Sequence, residues 1–145
     1  MNPARTHDRV LRPSQTSILR VPLGVVAGLA VTFAAVVGVE AFSAVVHPLP
    51  PDFDGSMQSM CDHVARYPGW VLGVAILMWA VAAGAGATVA RWAGGGVAAP
   101  VTVAALVMST LAMNLWMLPY PWWFKVGSIV AVPAAMAPSI LIRRS

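Results

Sequence analysis

Apolar residues run along this chain in four long blocks, 21–46, 69–90, 97–118 and 123–142, separated by short polar joints. Each block supplies the ~20 apolar residues that an α-helix, rising 1.5 Å per residue, needs to cross a hydrocarbon core of about 30 Å. The pattern predicts an all-α integral membrane protein, with a four-helix transmembrane bundle over 21–142 and a polar, basic tail over 1–20. The first block also has the outline of a signal peptide, with a basic N-region and Ala41-Phe42-Ser43 as a cleavage point. Its apolar run is longer than an h-region of about 7–15 residues, and Glu40 sits beside that point, so it is expected to remain as a span.

The joints carry their own signals. The longest runs from His47 to Pro68 and opens His47-Pro48-Leu49-Pro50-Pro51, which stops a helix and holds the chain extended. Asp52, Asp54 or Ser56 is then placed to cap a helix reaching about Arg66. Within it Met57, Met60, Cys61 and Val64 recur at i, i+3, i+4, i+7, the stripe of a short amphipathic helix lying on the membrane or the bundle. The joint Arg91-Trp92-Ala93-Gly94-Gly95-Gly96 is tight, so the second and third spans are expected to be antiparallel neighbours. Tyr67-Pro68-Gly69-Trp70 and Tyr120-Pro121-Trp122-Trp123 stand 53 residues apart, the offset that also carries Arg91 onto Arg144. A duplicated two-helix hairpin and two independent aromatic anchors at the interface both account for this.

Composition and charge sharpen the picture. Apolar residues make up 59% and charged residues 10% of 145, against roughly 25% charged in a soluble domain, so the chain has too little polar surface to cover itself in water. The net charge of +4 does not point to nucleic acid, because the basic residues flank the apolar blocks. Arg5, Arg9, Arg12, Arg20, Arg91, Arg143 and Arg144 fall on one side; only Arg66 and Lys125 fall on the other. The count places both termini in the cytoplasm, with Asp52, Asp54 and Asp62 outside. The lone Cys61 allows no internal disulfide. The expected partners are the lipid bilayer, a second copy or a larger membrane complex.

Lipid gives apolar helices no hydrophobic reason to associate, so small residues that let backbones approach must mark the packing faces. Gly24 and Gly28 form a GxxxG in the first span, read as intramolecular packing ahead of dimerisation. In the second span Ala80, Gly84 and Thr88 are spaced by four, with Ala82 and Gly86 on an adjacent strip. Pro133 and Pro138 are expected to kink the last span unless neighbours satisfy the carbonyls they release.

One ionisable residue lies inside a span. Glu40 stands eight residues before Pro48, roughly 12 Å below the helix end. A carboxylate at that depth needs a partner, a proton or water. Ser43 and His47 share its helical face, Asn114 sits at comparable depth in the third span, and Lys125 is the nearest cation. Glu40, His47, Asn114 and Lys125 therefore form the candidate polar cluster. Two readings stand: a knot that fixes helix register, or a proton-relay, ion or ligand site. No Cys/His spacing of a metal site occurs, none of the three histidines lies in a span to ligate haem, and no GxSxG, HExxH or Walker loop is present. No catalytic residue, metal or cofactor is expected.

Glu40-Ala41, then Pro48-Leu49-Pro50-Pro51 followed by Asp54, then Asn114-Leu115 before Pro119-Tyr120-Pro121-Trp122-Trp123 together resemble a pattern in uncharacterised bacterial four-helix inner-membrane proteins with a domain of unknown function. The resemblance spans roughly residues 21–125. That family has His-Pro-x-Trp where this chain has Tyr120-Pro121-Trp122-Trp123, so the role of that histidine does not carry over. The resemblance implies the four-helix fold and draws attention to Glu40, without an activity. Since nearly every residue serves spanning and packing, the expected role is a non-enzymatic accessory or scaffold subunit. The alternative is a small transporter or proton-coupled conduit using Glu40.

Overall fold

The computed structural model describes residues 15–142; Arg5, Arg9, Arg12, Arg143 and Arg144 lie outside the described residues. Five helices follow in order: α1 (Gln15–Val46), α2 (Met57–Ala65), α3 (Gly69–Gly94), α4 (Ala98–Met117) and α5 (Trp122–Leu141). Four of them, with Leu19–Val46 as the α1 segment, are long and apolar enough to cross a membrane. The protein is an all-α four-helix membrane bundle with a short helix in the first long joint, as the hydropathy pattern predicts.

Two boundaries differ from that pattern. Helix α1 starts at Gln15, so 15–20 belong to the helix and not to the tail. Ile18 and Leu19 prolong the apolar run, and the Arg20 side chain lies beside Gly95, at the carbonyl end of α3 where a cation is favoured. Helix α3 runs on through Gly94, leaving a connection of only three residues. Gly95 closes it in the left-handed region (φ 69°), donating its N–H to the Arg91 carbonyl at 3.1 Å. Such a cap favours glycine, which adopts positive φ without a Cβ clash.

Helices α3 and α4 form the short diagonal of the bundle. Each touches α1 and α5 as well as the other, whereas α1 and α5 do not meet. The tightest seam joins α1 to α3. A Cβ on Gly24 would stand 2.6 Å from the Ala90 carbonyl oxygen and from Gly94. A Cβ on Gly28 would stand 2.7 Å from both Ala90 Cβ and the Gly86 oxygen. The GxxxG thus packs within the chain, against Gly86, Ala90 and Gly94. This is the neighbouring strip of α3, not Ala80, Gly84 and Thr88. Gly84 instead faces Ala135 of α5, and Thr88 is exposed with its hydroxyl returned to the Gly84 carbonyl at 2.8 Å. Strips two residues apart point in widely different directions around a 3.6-residue turn, and a central helix uses both.

Helix α5 continues through Pro133 and Pro138 without interruption. Its end is held from α3: Arg91 donates to the Ser139 carbonyl at 2.8 Å and to the Ile142 carbonyl at 2.7 Å. Carbonyls at the end of a helix have no partner within it. Phe124, Val132 and Met136 of α5 fill the core against Leu72, Ala83, Leu111 and Leu115. Trp70, Trp116 and Trp122 stand exposed at the α2 end and Trp92 at the opposite end, the two levels at which indole rings settle in a bilayer. Pro68 and Pro121 share one cap geometry (φ −60°, ψ 136° and φ −63°, ψ 149°). The offset of 53 that carries α3 onto α5 carries α1 onto 68–99 and not onto α4, so at that fixed register the likeness is confined to α3 and α5.

The seam makes a paired prediction. Gly28→Ala forces backbone apart and is expected to destabilise the bundle by about 1–3 kcal/mol, the range for overpacking a tight core. Gly38→Ala, with nothing within 4 Å of the added carbon, is expected to be neutral or to stabilise by about 0.5–1 kcal/mol through helix propensity. Thermal unfolding of both variants in mild detergent checks the contrast.

Candidate functional site

At the α2 end the chain builds a roof. His47 closes the last turn of α1, its N–H on the Ser43 carbonyl at 2.8 Å, and the prolines then carry the backbone outward to a turn between Pro50 and Phe53. Gly55 adopts φ 76°, which brings Ser56 to the N-cap of α2; the Ser56 hydroxyl accepts from the Ser59 N–H at 3.1 Å. Asp54 accepts from the Ser56 N–H at 2.9 Å. That bond and the Ser59 and Ser56 hydroxyls pull its carboxyl down to about 2. Asp54 is therefore a turn-forming residue.

The inward face of α2 is Met60, His63 and Val64, continued by Tyr67, one step round from the Met57/Met60/Cys61/Val64 stripe. His63 and Val64 are buried while Met57 is exposed. Three rings tie the roof down. His47 and His63 stack with centroids 4.5 Å apart, and Tyr67 lies 4.4 Å from His47 and 5.2 Å from His63. Burial lowers the His63 pKa, and the charges of His47 and Arg66 lower it further.

Beneath the roof lies a cavity of about 400 Å³. Glu40 and Ser43 of α1, His63 of α2, Trp79 of α3, Asn114 of α4, Tyr120 of the α4–α5 joint and Phe124 of α5 all line it, together with Tyr67. Burial raises the Tyr67 and Tyr120 pKa values, with Glu40 adding to both, while a hydrogen bond from Ser43 offsets part of the rise at Tyr67. Both phenols therefore stay protonated. Asn114 Oδ1 is buried and has no hydrogen-bond partner, which leaves an acceptor costing about 1–3 kcal/mol beside the cavity.

A second space of about 380 Å³ adjoins it, a groove between α1 and α4. Leu29, Phe33 and Val36 form one wall and Leu106, Val107 and Leu111 the other, over Ala83 and Val132. Glu40, Trp79 and Asn114 line both spaces. The polar chamber and the apolar groove thus meet at the one intramembrane carboxylate.

Of the residues singled out by sequence, Glu40 and Asn114 come together here. His47 belongs to the roof and lines neither space. Lys125, half-buried on α5, also lines neither. It follows Phe124, which points into the core, and 100° of rotation per residue turns it away. Trp79, His63, Tyr67, Tyr120 and Phe124 were missing from the sequence cluster. Trp79 carried a signal, since it lies ten residues inside a span, far from the interface where tryptophans usually anchor. His63 carried another, three residues after Met60 on the same face. No family model, curated protein or solved structure matches the chain.

Because the folded state holds His63 below its ordinary value, the roof is fully stabilised above about pH 6.5 and loses that stability as pH falls below it. Hydrogen exchange of the α2 amides is expected to accelerate between pH 7 and 5 while the core of α3 does not change. His63→Phe keeps the stack without the charge and is expected to flatten that pH dependence.

Proposed function

We propose that this chain is a multi-pass protein of the inner membrane, both termini cytoplasmic, that binds a small ligand in its outward half as a non-enzymatic accessory subunit. The carrying observation is the cavity under α2, where Glu40 converges with the partnerless Asn114 oxygen. Its volume lies within the ~300–1,000 Å³ typical of ligand sites. Mixed apolar walls with a few convergent polar groups are also what such sites present. The lysine and arginine distribution supports the orientation.

A conduit through Glu40 is the weaker reading. It needs a polar route to the opposite face, and the deepest residues of the groove are apolar or, like Thr32, already bonded to their own helix at 3.0 Å. Below them the backbones of α1 and α3 meet at Gly24 and Gly28.

The test is a thermal-shift panel on the purified full chain, with small organic cations, anions, neutral amphiphiles and sugars. At least one class is expected to raise the Tm of the natural protein and not that of Ser43→Trp, whose ring fills the cavity. Size-exclusion behaviour of that variant checks that it still folds. A panel with no stabilising class, or one that stabilises both proteins equally, overturns the proposal.

A further inference from the structure

The chamber and the groove differ in chemistry, and the difference selects a ligand. Inside the chamber, Trp79 and Phe124 meet edge to face at 5.5 Å, Tyr120 and Phe124 lie 4.6 Å apart, and Tyr67 closes the roof side. A space lined by aromatic rings and a carboxylate suits an organic cation, because a ring face attracts positive charge and the carboxylate carries the complementary negative one. Among the described residues no lysine or arginine lines either space beside Glu40. The unpaired Asn114 oxygen adds a second acceptor. The two acceptors, the Glu40 carboxylate and the Asn114 oxygen, therefore call for a positively charged or hydrogen-bond-donating group.

The groove calls for hydrocarbon. It runs down α1 from Glu40 to Leu29, eleven residues or about 16 Å of helix, the scale of a medium alkyl chain. Its two walls come from α1 and α4. A bilayer phospholipid would bring a phosphate next to Glu40, with no basic side chain to receive it. The occupant is accordingly a single-chain amphiphile whose head carries only positive charge.

Resting on the binding role proposed above, we infer that the site takes an alkylammonium amphiphile, its head in the aromatic chamber against Glu40 and Asn114, its chain in the α1–α4 groove. Lipid is as apolar as the groove, so the head provides the discrimination and the chain sets the pose.

The experiment measures binding of decyltrimethylammonium to the full chain in nonionic detergent by calorimetry, beside decylphosphocholine, decanoate and decanol. Decyltrimethylammonium is expected to bind at least about tenfold more tightly than the other three. Glu40→Gln is expected to weaken it by about tenfold or more, the scale of one lost charge-assisted contact, with its Tm unchanged. Tyr120→Leu, which removes a ring and leaves the charge, is expected to weaken it several-fold. Equal binding of decylphosphocholine identifies a lipid headgroup as the source and overturns the proposal, as does equal binding of decanoate or decanol, or an unchanged Glu40→Gln. If none of the four binds while the thermal-shift panel finds another class, this inference falls and the binding role stands. If the panel also finds nothing, both fall.

Discussion

Everything in this bundle is arranged around the approach of two backbones, α1 at Gly24 and Gly28 and α3 at Gly86, Ala90 and Gly94. In a bilayer no expulsion of water draws apolar helices together, so contact has to be won atom by atom through dispersion, which falls off within an ångström of ideal separation. Glycines at these positions let main chain touch main chain. Between α1, fixed there, and α4 lies the groove below Glu40.

The rest of the molecule follows from what that seam leaves unfilled. Helix α3 uses its other small strip for α5, whose final turn Arg91 holds through the Ser139 and Ile142 carbonyls. The α4–α5 joint and the first turn of α5 then deliver Tyr120 and Phe124 beneath α2. Glu40, Asn114, Tyr67 and Tyr120 all line the same chamber. A carboxylate, an amide and two phenols from different parts of the chain are thereby collected around one space.

How much of this was legible in the sequence divides along physical lines. Spans were readable because hydropathy over twenty residues is a property of each helix alone, and the α2 cap was readable because Ser56 and Asp54 act on neighbours a few positions away. The GxxxG was visible, but its partner strip was not, because rotation of α3 about its axis depends on α4 and α5 together. Glu40 stood out as the one acid in a span, and Asn114 by depth. Lys125 failed for want of rotation: depth put it at the right level, and Phe124, one residue earlier, took the inward direction. The aromatic residues were masked by their second use as interfacial anchors, so Tyr67 and Tyr120 looked sufficiently explained at the membrane surface.

The groove between α1 and α4 opens sideways, and that changes what the word concentration means for this site. A solute reaching Glu40 from the side has first dissolved in the surrounding leaflet, where an amphiphile accumulates far above its level in water. The site then samples mole fraction in the membrane, not molarity outside it. A contact of modest intrinsic strength would still be well occupied at trace aqueous levels, and occupancy would track the fluidity and composition of the leaflet as closely as it tracks the supply of ligand.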